Sequence, residues 1–340
     1  MVASVYAIGL FVWATLRALV GDRYWWTFLL NAFALYLFAP LPAVALAVLL
    51  ARSRFGGVLA TATLALWVDR YAGLFLPGER PCGPDEHGLT VMTMNVLFHN
   101  RRPEQVVAAI RASDADVIGI QELNPAIARA IARDLARDYP YQVLAPHEKS
   151  PAGMGTISRY PLHPTGDALP GEWLGTPQVL SIEWRGRRIV VLNLHPVSST
   201  ADASMTPRQA RERARVAHAL VRYARACPAP LIVTTDFNVG DQNTPYAIVT
   251  RELGDAWRAA GWGLGHTFPG ALSPGSSRPV IRGVAVPKWL LRIDYVFYSR
   301  DWRACWARIG SWDAVSDHRP VLAHLVLARD AAVNRARMGG

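Results

Sequence analysis

The strongest constraint on this chain is a recurring pattern: a short apolar run that ends on a side chain able to do chemistry. Leu231-Ile-Val-Thr-Thr-Asp236-Phe-Asn238-Val-Gly240 shows it most clearly. β-Branched residues closed off by Pro228 and Pro230 on one side and Gly240 on the other predict a buried strand. Asp236 and Asn238 then fall where the strand runs out, at a sheet edge from which a rigid scaffold can aim them.

Four other strands fit the pattern. Leu89–Leu97 carries Asn95 near its end, and Asp116–Gln121 runs into Glu122. Ile189–Leu194 runs into His195. Leu290–Tyr298 places Asp294 inside an apolar run, where a carboxylate is costly unless paired. The last strand, Val321–Leu327, follows Ser316-Asp317-His318-Arg319-Pro320, which offers His318 as that partner. Taken singly, each residue has an ordinary explanation as a solvated strand end or a structural histidine. Together they form a constellation.

Helical patterns over Pro103–Arg111, Pro125–Asp138, Thr206–Ala226 and Pro245–Leu253 alternate with these strands, which predicts an α/β domain over residues 89–328 with a short tail at 329–340. Gly261–Pro287 is long, irregular and rich in Gly, Pro and Ser. A loop of that length is expected to serve function, here by shaping the substrate pocket.

The region of residues 1–80 is different, with 1–76 nearly continuous apolar sequence. Ser4–Val20, Trp26–Leu50 and Gly57–Leu76 each approach the ~20 residues that a helix needs to cross hydrocarbon. They predict an all-α membrane region of about three spans, with Pro40 and Pro42 interrupting the second. A cleaved signal peptide is disfavoured, since the first segment lacks a basic leading region. The connector with Arg52 and Arg54 carries uncompensated positive charge, which places it inside the cell and the C-terminal domain outside. Pro81–Gly88 reads as a short linker that would hold the domain within ~15–25 Å of the membrane.

The net charge of +10 suits phosphorylated ligands, anionic lipid or nucleic acid alike. Cys82, Cys227 and Cys305 have no metal-ligand spacing. One bridge is available, and nothing in the spacing requires it.

The set Asn95, Glu122, His195, Asp236, Asn238, Asp294, Asp317 and His318 offers hard oxygen donors and imidazoles without sulfur, which suits Mg²⁺ or Mn²⁺. We assign Asn95, Glu122 and Asp317 to the metal. Asp236 and Asn238 would position and activate a water, Asp294 would orient His318, and His195 would donate to a phosphoryl oxygen. A serine nucleophile is disfavoured because no Gly-x-Ser-x-Gly elbow is present.

The motifs Met94-Asn95, Ile120-Gln-Glu122, Asn193-Leu-His195, Asp236-Phe-Asn238, Arg292-Ile-Asp294 and Ser316-Asp-His318 resemble the endonuclease/exonuclease/phosphatase superfamily over about residues 89–327. The resemblance implies a four-layer α/β sandwich of two packed mixed sheets flanked by helices, with Mg²⁺-dependent hydrolysis. The apolar leader resembles the membrane-anchored bacterial branch associated with teicoplanin resistance. That likeness implies a multi-pass cell-membrane protein, an extracytoplasmic catalytic domain and a lipid-linked phosphate or diphosphate of the envelope as substrate. A tethered nuclease, a sphingomyelinase-like phospholipase C and a non-catalytic scaffold are the alternatives. The tyrosine and extra basic residues of some family nucleases have no match in Met154–Pro161, which weighs against nucleic acid.

Overall fold

The computed structural model describes residues 2–76, 78, 82–83, 86–197, 207–270, 280–311 and 315–328. The tail at 329–340 lies outside them. The leader consists of α1 (Val2–Leu19), α2 (Trp25–Ala32), α3 (Leu41–Leu50) and α4 (Arg54–Tyr71), with 3₁₀ turns at Ala34–Phe38 and Ala72–Leu74. Proline has no N–H to donate and is therefore tolerated only at a helix start, so Pro40 precedes α3 and Pro42 sits in its first turn. The three apolar segments thus resolve into four helices. Among the described residues, no single helix is long and apolar enough to cross a membrane. Trp25–Ala32 with Ala34–Leu50 meets that length and composition only as a pair bent by 65°.

The rest of the chain alternates strands and helices in the order β1 (Leu89–Asn95), α5 (Pro103–Ser113), β2 (Val117–Gln121), α6 (Pro125–Asp134), β3 (Tyr141–Ala145), β4 (Met154–Ser158), β5 (His163–Pro164), β6 (Trp173–Trp184) and β7 (Arg187–Pro196). It continues as α7 (Pro207–Ala226), β8 (Leu231–Asp236), α8 (Thr244–Val249), β9 (Gly254–Asp255), α9 (Ala256–Ala260), β10 (Val280–Ile281), β11 (Val284–Ala285), β12 (Asp294–Tyr298), β13 (Trp302–Ile309) and β14 (Val321–Leu327).

Among the described residues, two six-stranded mixed sheets form, in the orders β13-β14-β1-β2-β4-β3 and β5-β6-β7-β8-β12-β9. In each sheet the central pair, β1 with β2 and β7 with β8, runs parallel. Their side chains alternate between two apolar layers. Val91 faces the layer between the sheets, while Met92 and Met94 pack outward with Val106, Ile110 and Ile127 of α5 and α6. Leu192 and Val233 pack outward with Leu220 of α7 and Val249 of α8. The four-layer α/β sandwich implied by the resemblance is therefore the observed fold.

The two sheets approach closely beside the site. A Cβ added to Gly119 of β2 would come within 2.0 Å of Thr234 Oγ1 on β8. Next to this contact, Gln121 Nε2 donates to Asn193 Oδ1 at 2.7 Å, and Asn193 Nδ2 donates to the Gly155 carbonyl at 2.8 Å. Buried amides of this kind are satisfied only in one register of the two sheets.

The leader packs directly on this body. Leu10, Trp13, Phe38, Tyr71 and Leu74 share a cluster with Val91, Ile182 and Val296. Asp22 is buried, and its carboxylate accepts from Asn31 Nδ2 at 2.8 Å, Asn243 Nδ2 at 3.1 Å and the Thr244 N–H at 2.7 Å. Arg17 Nε donates to the Gln242 carbonyl at 2.8 Å. On the far side the leader is apolar and open, with Leu49, Leu50, Phe55 and Val58 each exposed.

The connection at residues 81–88 differs from the flexible tether expected from its composition. Cys82 and Cys305 form a disulfide, and Arg303 Nη2 donates to Glu86 at 2.8 Å, so the described part of the linker is fixed to β13. Cys227 is a free thiol.

The sheet-to-sheet contact is directly testable. Gly119→Val forces a branched side chain into Thr234, an overpacking that typically costs ~1–3 kcal/mol. The variant is expected to unfold at a clearly lower Tm than the wild type by circular dichroism, and an unchanged Tm would refute the close approach.

Candidate active site

The eight residues singled out in the sequence come from both sheets. Asn95 closes β1 and Glu122 follows β2, while His195 lies in β7, Asp236 closes β8 and Asp294 opens β12. Asn238, Asp317 and His318 sit on the loops after β8 and before β14. Asp294 is thus a strand start, not a residue inside a run. Its backbone N–H is held by Thr267 Oγ1 at 3.4 Å, as is that of Ile293 at 3.2 Å.

Asn95 joins the two sheets at this edge. Its Nδ2 donates to Glu122 Oε1 at 3.0 Å and to Asp236 Oδ2 at 2.9 Å, while its Oδ1 accepts from the Leu97 N–H. Glu122 also accepts from the Phe98 N–H at 2.8 Å through Oε2. Glu122 and Asn238 adopt left-handed backbone conformations, at φ +59° and +57°. Such conformations cost of order ~1–3 kcal/mol and persist only where the surroundings impose them. Here the Glu122 carboxylate is held by two donors, and Asn238 Nδ2 donates to the Pro196 carbonyl at 3.1 Å.

Asp236 and Asp294 are directly opposite one another on antiparallel strands. Like charges in that position repel. His318 lies between them, with Nδ1 2.9 Å from Asp294 Oδ2 and Nε2 3.7 Å from Asp236 Oδ2. Burial acts to lower the His318 pKa, but Asp294, Asp236 and Asp317 outweigh it and raise it well above the ordinary histidine value. His195, whose Nε2 is 3.6 Å from Asp236 Oδ2, shifts the other way. Its burial prevails over Asp236 and Glu122 and favours the neutral ring. The site therefore holds one cationic and one neutral imidazole around the same carboxylate, a division of acid and base set by environment.

Burial raises the pKa of Asp236 and pushes that of Asp317 up to about 6, with Glu122 and Asp236 adding to the second shift. Carboxylates crowded out of water in this way call for a cation. Among the described residues, two groups each bring their ligand atoms within 4.8 Å of one another: Glu122, His195 and Asp236, and Asp236, Asp294 and His318. Asp317 belongs to neither. The donor set of oxygens and imidazole nitrogens fits a hard divalent ion.

Sequence reasoning gave no role to several residues that frame the cluster. The Phe268 ring lies 4.8 Å from the His318 ring, which makes the loop from Gly261 a wall of the site, as expected. Residues 271–279 of that loop, Arg278 among them, lie outside the described residues. Buried Arg292 pairs with Asp255 at 2.6 Å and so anchors the approach to Asp294. Leader residue Tyr36 donates to the Leu290 carbonyl at 3.0 Å, bracing the same approach from the other side. The sequence signal for Arg292 was its place two residues before Asp294. Tyr36 had none.

A profile of the Endonuclease/Exonuclease/phosphatase family matches residues 92–318, well over half of the chain, and all eight residues singled out in the sequence lie within it. The chain belongs to that family. Members of the endonuclease/exonuclease/phosphatase family are metal-dependent phosphoester hydrolases. No curated protein matches the chain. Among solved structures it is similar to an endonuclease/exonuclease/phosphatase from Bacteroides vulgatus, 17% identical over 71% of this chain and 100% of that one, with a TM-score of 0.51. It is also similar to truncated TDP2 of Caenorhabditis elegans, 17% identical over 70% and 98% with a TM-score of 0.54, and to D. rerio TDP2, 15% identical over 71% and 99% with a TM-score of 0.54. At these identities the likeness concerns the fold.

The raised Asp317 predicts a pH-dependent cation effect. Its folded value of about 6 exceeds the ordinary carboxylate value, so in cation-free protein the stability tied to neutral Asp317 is present below about pH 4 and lost as pH rises through about 6. A divalent cation is expected to raise Tm more near pH 7 than near pH 5. Equal shifts at both would refute this account of the buried carboxylates.

Proposed function

We propose that this protein is a Mg²⁺-dependent phosphohydrolase or phosphodiesterase, held at a lipid surface by residues 2–76 and acting on a lipid-borne phosphate or diphosphate of the cell envelope. The observation that carries the catalytic part is the convergence of Glu122, His195, Asp236, Asp294 and His318 in two ligand groups that share the buried Asp236. Asn95 turns its Nδ2 toward Glu122 and Asp236 and so positions them; Glu122, which shares a ligand group with His195 and Asp236, would hold the ion. When bound, it would neutralise phosphoryl charge and orient the phosphate.

The chain's own groups supply the rest. Protonated His318, fixed through Nδ1 by Asp294, presents its Nε2 proton toward the Asp236 side of the cleft, where it can be donated to a phosphoryl or leaving oxygen. Asp236 accepts hydrogen bonds from the Asn95 amide and the Asn238 N–H and is placed to take a proton from an attacking water. His195, kept neutral by burial, can donate one ring N–H to a non-bridging oxygen without repelling the cation.

The lipid part is supported by the open apolar face of the leader and by its contacts with both catalytic loops, at Gln242–Thr244 and at Leu290. The Cys82–Cys305 disulfide supports an extracytoplasmic location, since such bonds persist in oxidising compartments.

A nucleic-acid phosphodiester is the second reading. It is favoured by the net charge of +10 and by the single-strand DNA product in the structure of D. rerio TDP2. Two loop side chains weigh against it. Phe268 is already against His318, and His266 is bound to the Trp289 carbonyl at 2.7 Å with its ring 6.4 Å from that of Tyr36, so both are held in place by the protein itself.

The full chain in detergent is expected to release phosphate or a phosphorylated head group from polyprenyl diphosphate or phospholipid with Mg²⁺ and not with EDTA. Asp236→Ala and Asp294→Asn should each lower kcat by ~10²–10⁴-fold, the usual worth of an acid–base group or its orienting partner. Plasmid nicking that disappears in Asp236→Ala, without any lipid hydrolysis, would favour the second reading.

A further inference from the structure

Where α1 ends and the chain turns toward α2, a cleft of about 570 Å³ opens between the leader and the α7–α8 side of the catalytic domain. Arg17, Arg23, Arg211, Arg213 and Arg251 line it, against a single carboxylate, Asp22. That carboxylate is already committed, since it accepts from Asn31, Asn243 and Thr244. Among the described residues, Arg23, Arg211 and Arg251 pair with no carboxylate. Arg213 lies over the Phe28 ring at 4.7 Å, and burial pushes its guanidinium down to about 10. Three exposed guanidiniums without a carboxylate partner, beside Arg17 and Arg213 and around a committed acid, give a strongly positive cavity.

The catalytic cluster contributes no side chain to this cleft. Gln242 and Thr244, which do line it, lie on the far side of the loop that follows Asp236 and Asn238. Leu19 lines the cleft, and the chain leaves it at Arg23 into the aromatic run Tyr24–Trp26. Leu19 is 81% exposed, and Tyr24 and Trp26 stack at 6.0 Å beside an exposed Trp25. Aromatic rings of this kind settle at the level of lipid head groups, and arginine forks match phosphate oxygens.

We propose that the cleft between the α1–α2 turn and α7–α8 is a binding site for a phosphate-bearing anion, supplied by the head group of an anionic phospholipid. The lipid is a docking ligand, distinct from the substrate. Its phosphate sits among Arg17, Arg23, Arg211, Arg213 and Arg251, and its chains lie along Leu19 and the exposed apolar face of the leader. The source of the phosphate, though not the cleft itself, rests on the lipid-surface reading above.

Titrating the full chain in neutral micelles with phosphatidylglycerol, with phosphatidylcholine or with inorganic phosphate, followed by Tm, separates the sources. Phosphatidylglycerol is expected to stabilise the wild type and phosphatidylcholine not to. Arg211→Gln with Arg251→Gln, both at exposed side chains, should bind phosphatidylglycerol roughly 30-fold more weakly, given the usual worth of two basic groups at an anionic surface. Arg211→Lys with Arg251→Lys should keep most of the binding, and hydrolysis of a soluble phosphodiester should be unchanged in both. Protection by inorganic phosphate that the Gln pair abolishes supports the cleft and assigns it a free anion. Equal binding of both lipids, unaffected by the Gln pair, overturns the cleft and leaves the lipid-surface reading standing. Binding of neither lipid removes that reading, and the phosphate arm then decides the cleft on its own.

Discussion

The structure depends on one amide. Asn95 Nδ2 donates to a carboxylate from each sheet, Glu122 on one and Asp236 on the other, and so couples the packing of the sandwich to the geometry of the site. The coupling works because the sheets meet closely at Gly119 and Thr234, and because Gln121 and Asn193 bond across the gap. A buried network of this sort is satisfied in one arrangement only. The fold's register and the spacing of its carboxylates are the same constraint.

Around that amide, charge is sorted by neighbourhood. His318 has three carboxylates near it and His195 is dominated by desolvation, so two chemically identical rings carry different charges a few ångströms from the same Asp236. The opposed pair Asp236 and Asp294 is tolerable because an imidazolium stands between them. Strain is distributed in the same way. The left-handed turns at Glu122 and Asn238 are set where the backbone leaves the sheet; the Glu122 carboxylate accepts from the Phe98 N–H, and the Asn238 amide donates to the Pro196 carbonyl.

The catalytic domain was largely legible in the sequence because its strands are buried on both faces and end abruptly. An apolar run that terminates in Asn95, Glu122 or Asp236 reveals both the strand and the edge it reaches. β13 was not recognised, since Trp302-Arg-Ala-Cys-Trp-Ala-Arg-Ile309 mixes charge with aromatic residues and its partner β14 lies beyond a turn. Asp294 was placed inside a strand because Leu290 and Ile293 are apolar, yet pairing begins only where Asp236 lies opposite. The leader was the least legible part. A helix face that packs on protein and one that faces lipid have the same composition, so the contacts of Trp13, Phe38 and Tyr71 with the sandwich left no separate mark. Asp22 is held in part by Asn243 and Thr244, more than two hundred residues away, a pairing that composition alone does not announce.

The bond between Cys82 and Cys305 spans a sequence separation of 223 residues, and both strands β1 and β12 lie within the ring that it closes. The polypeptide is therefore a covalent loop with a helical handle. A single peptide cleavage on any surface turn between Gly83 and Ala304 would leave two pieces that still travel as one molecule until a thiol separates them. Such a clasp would keep both halves of the catalytic cluster attached to the leader after the main chain has been cut.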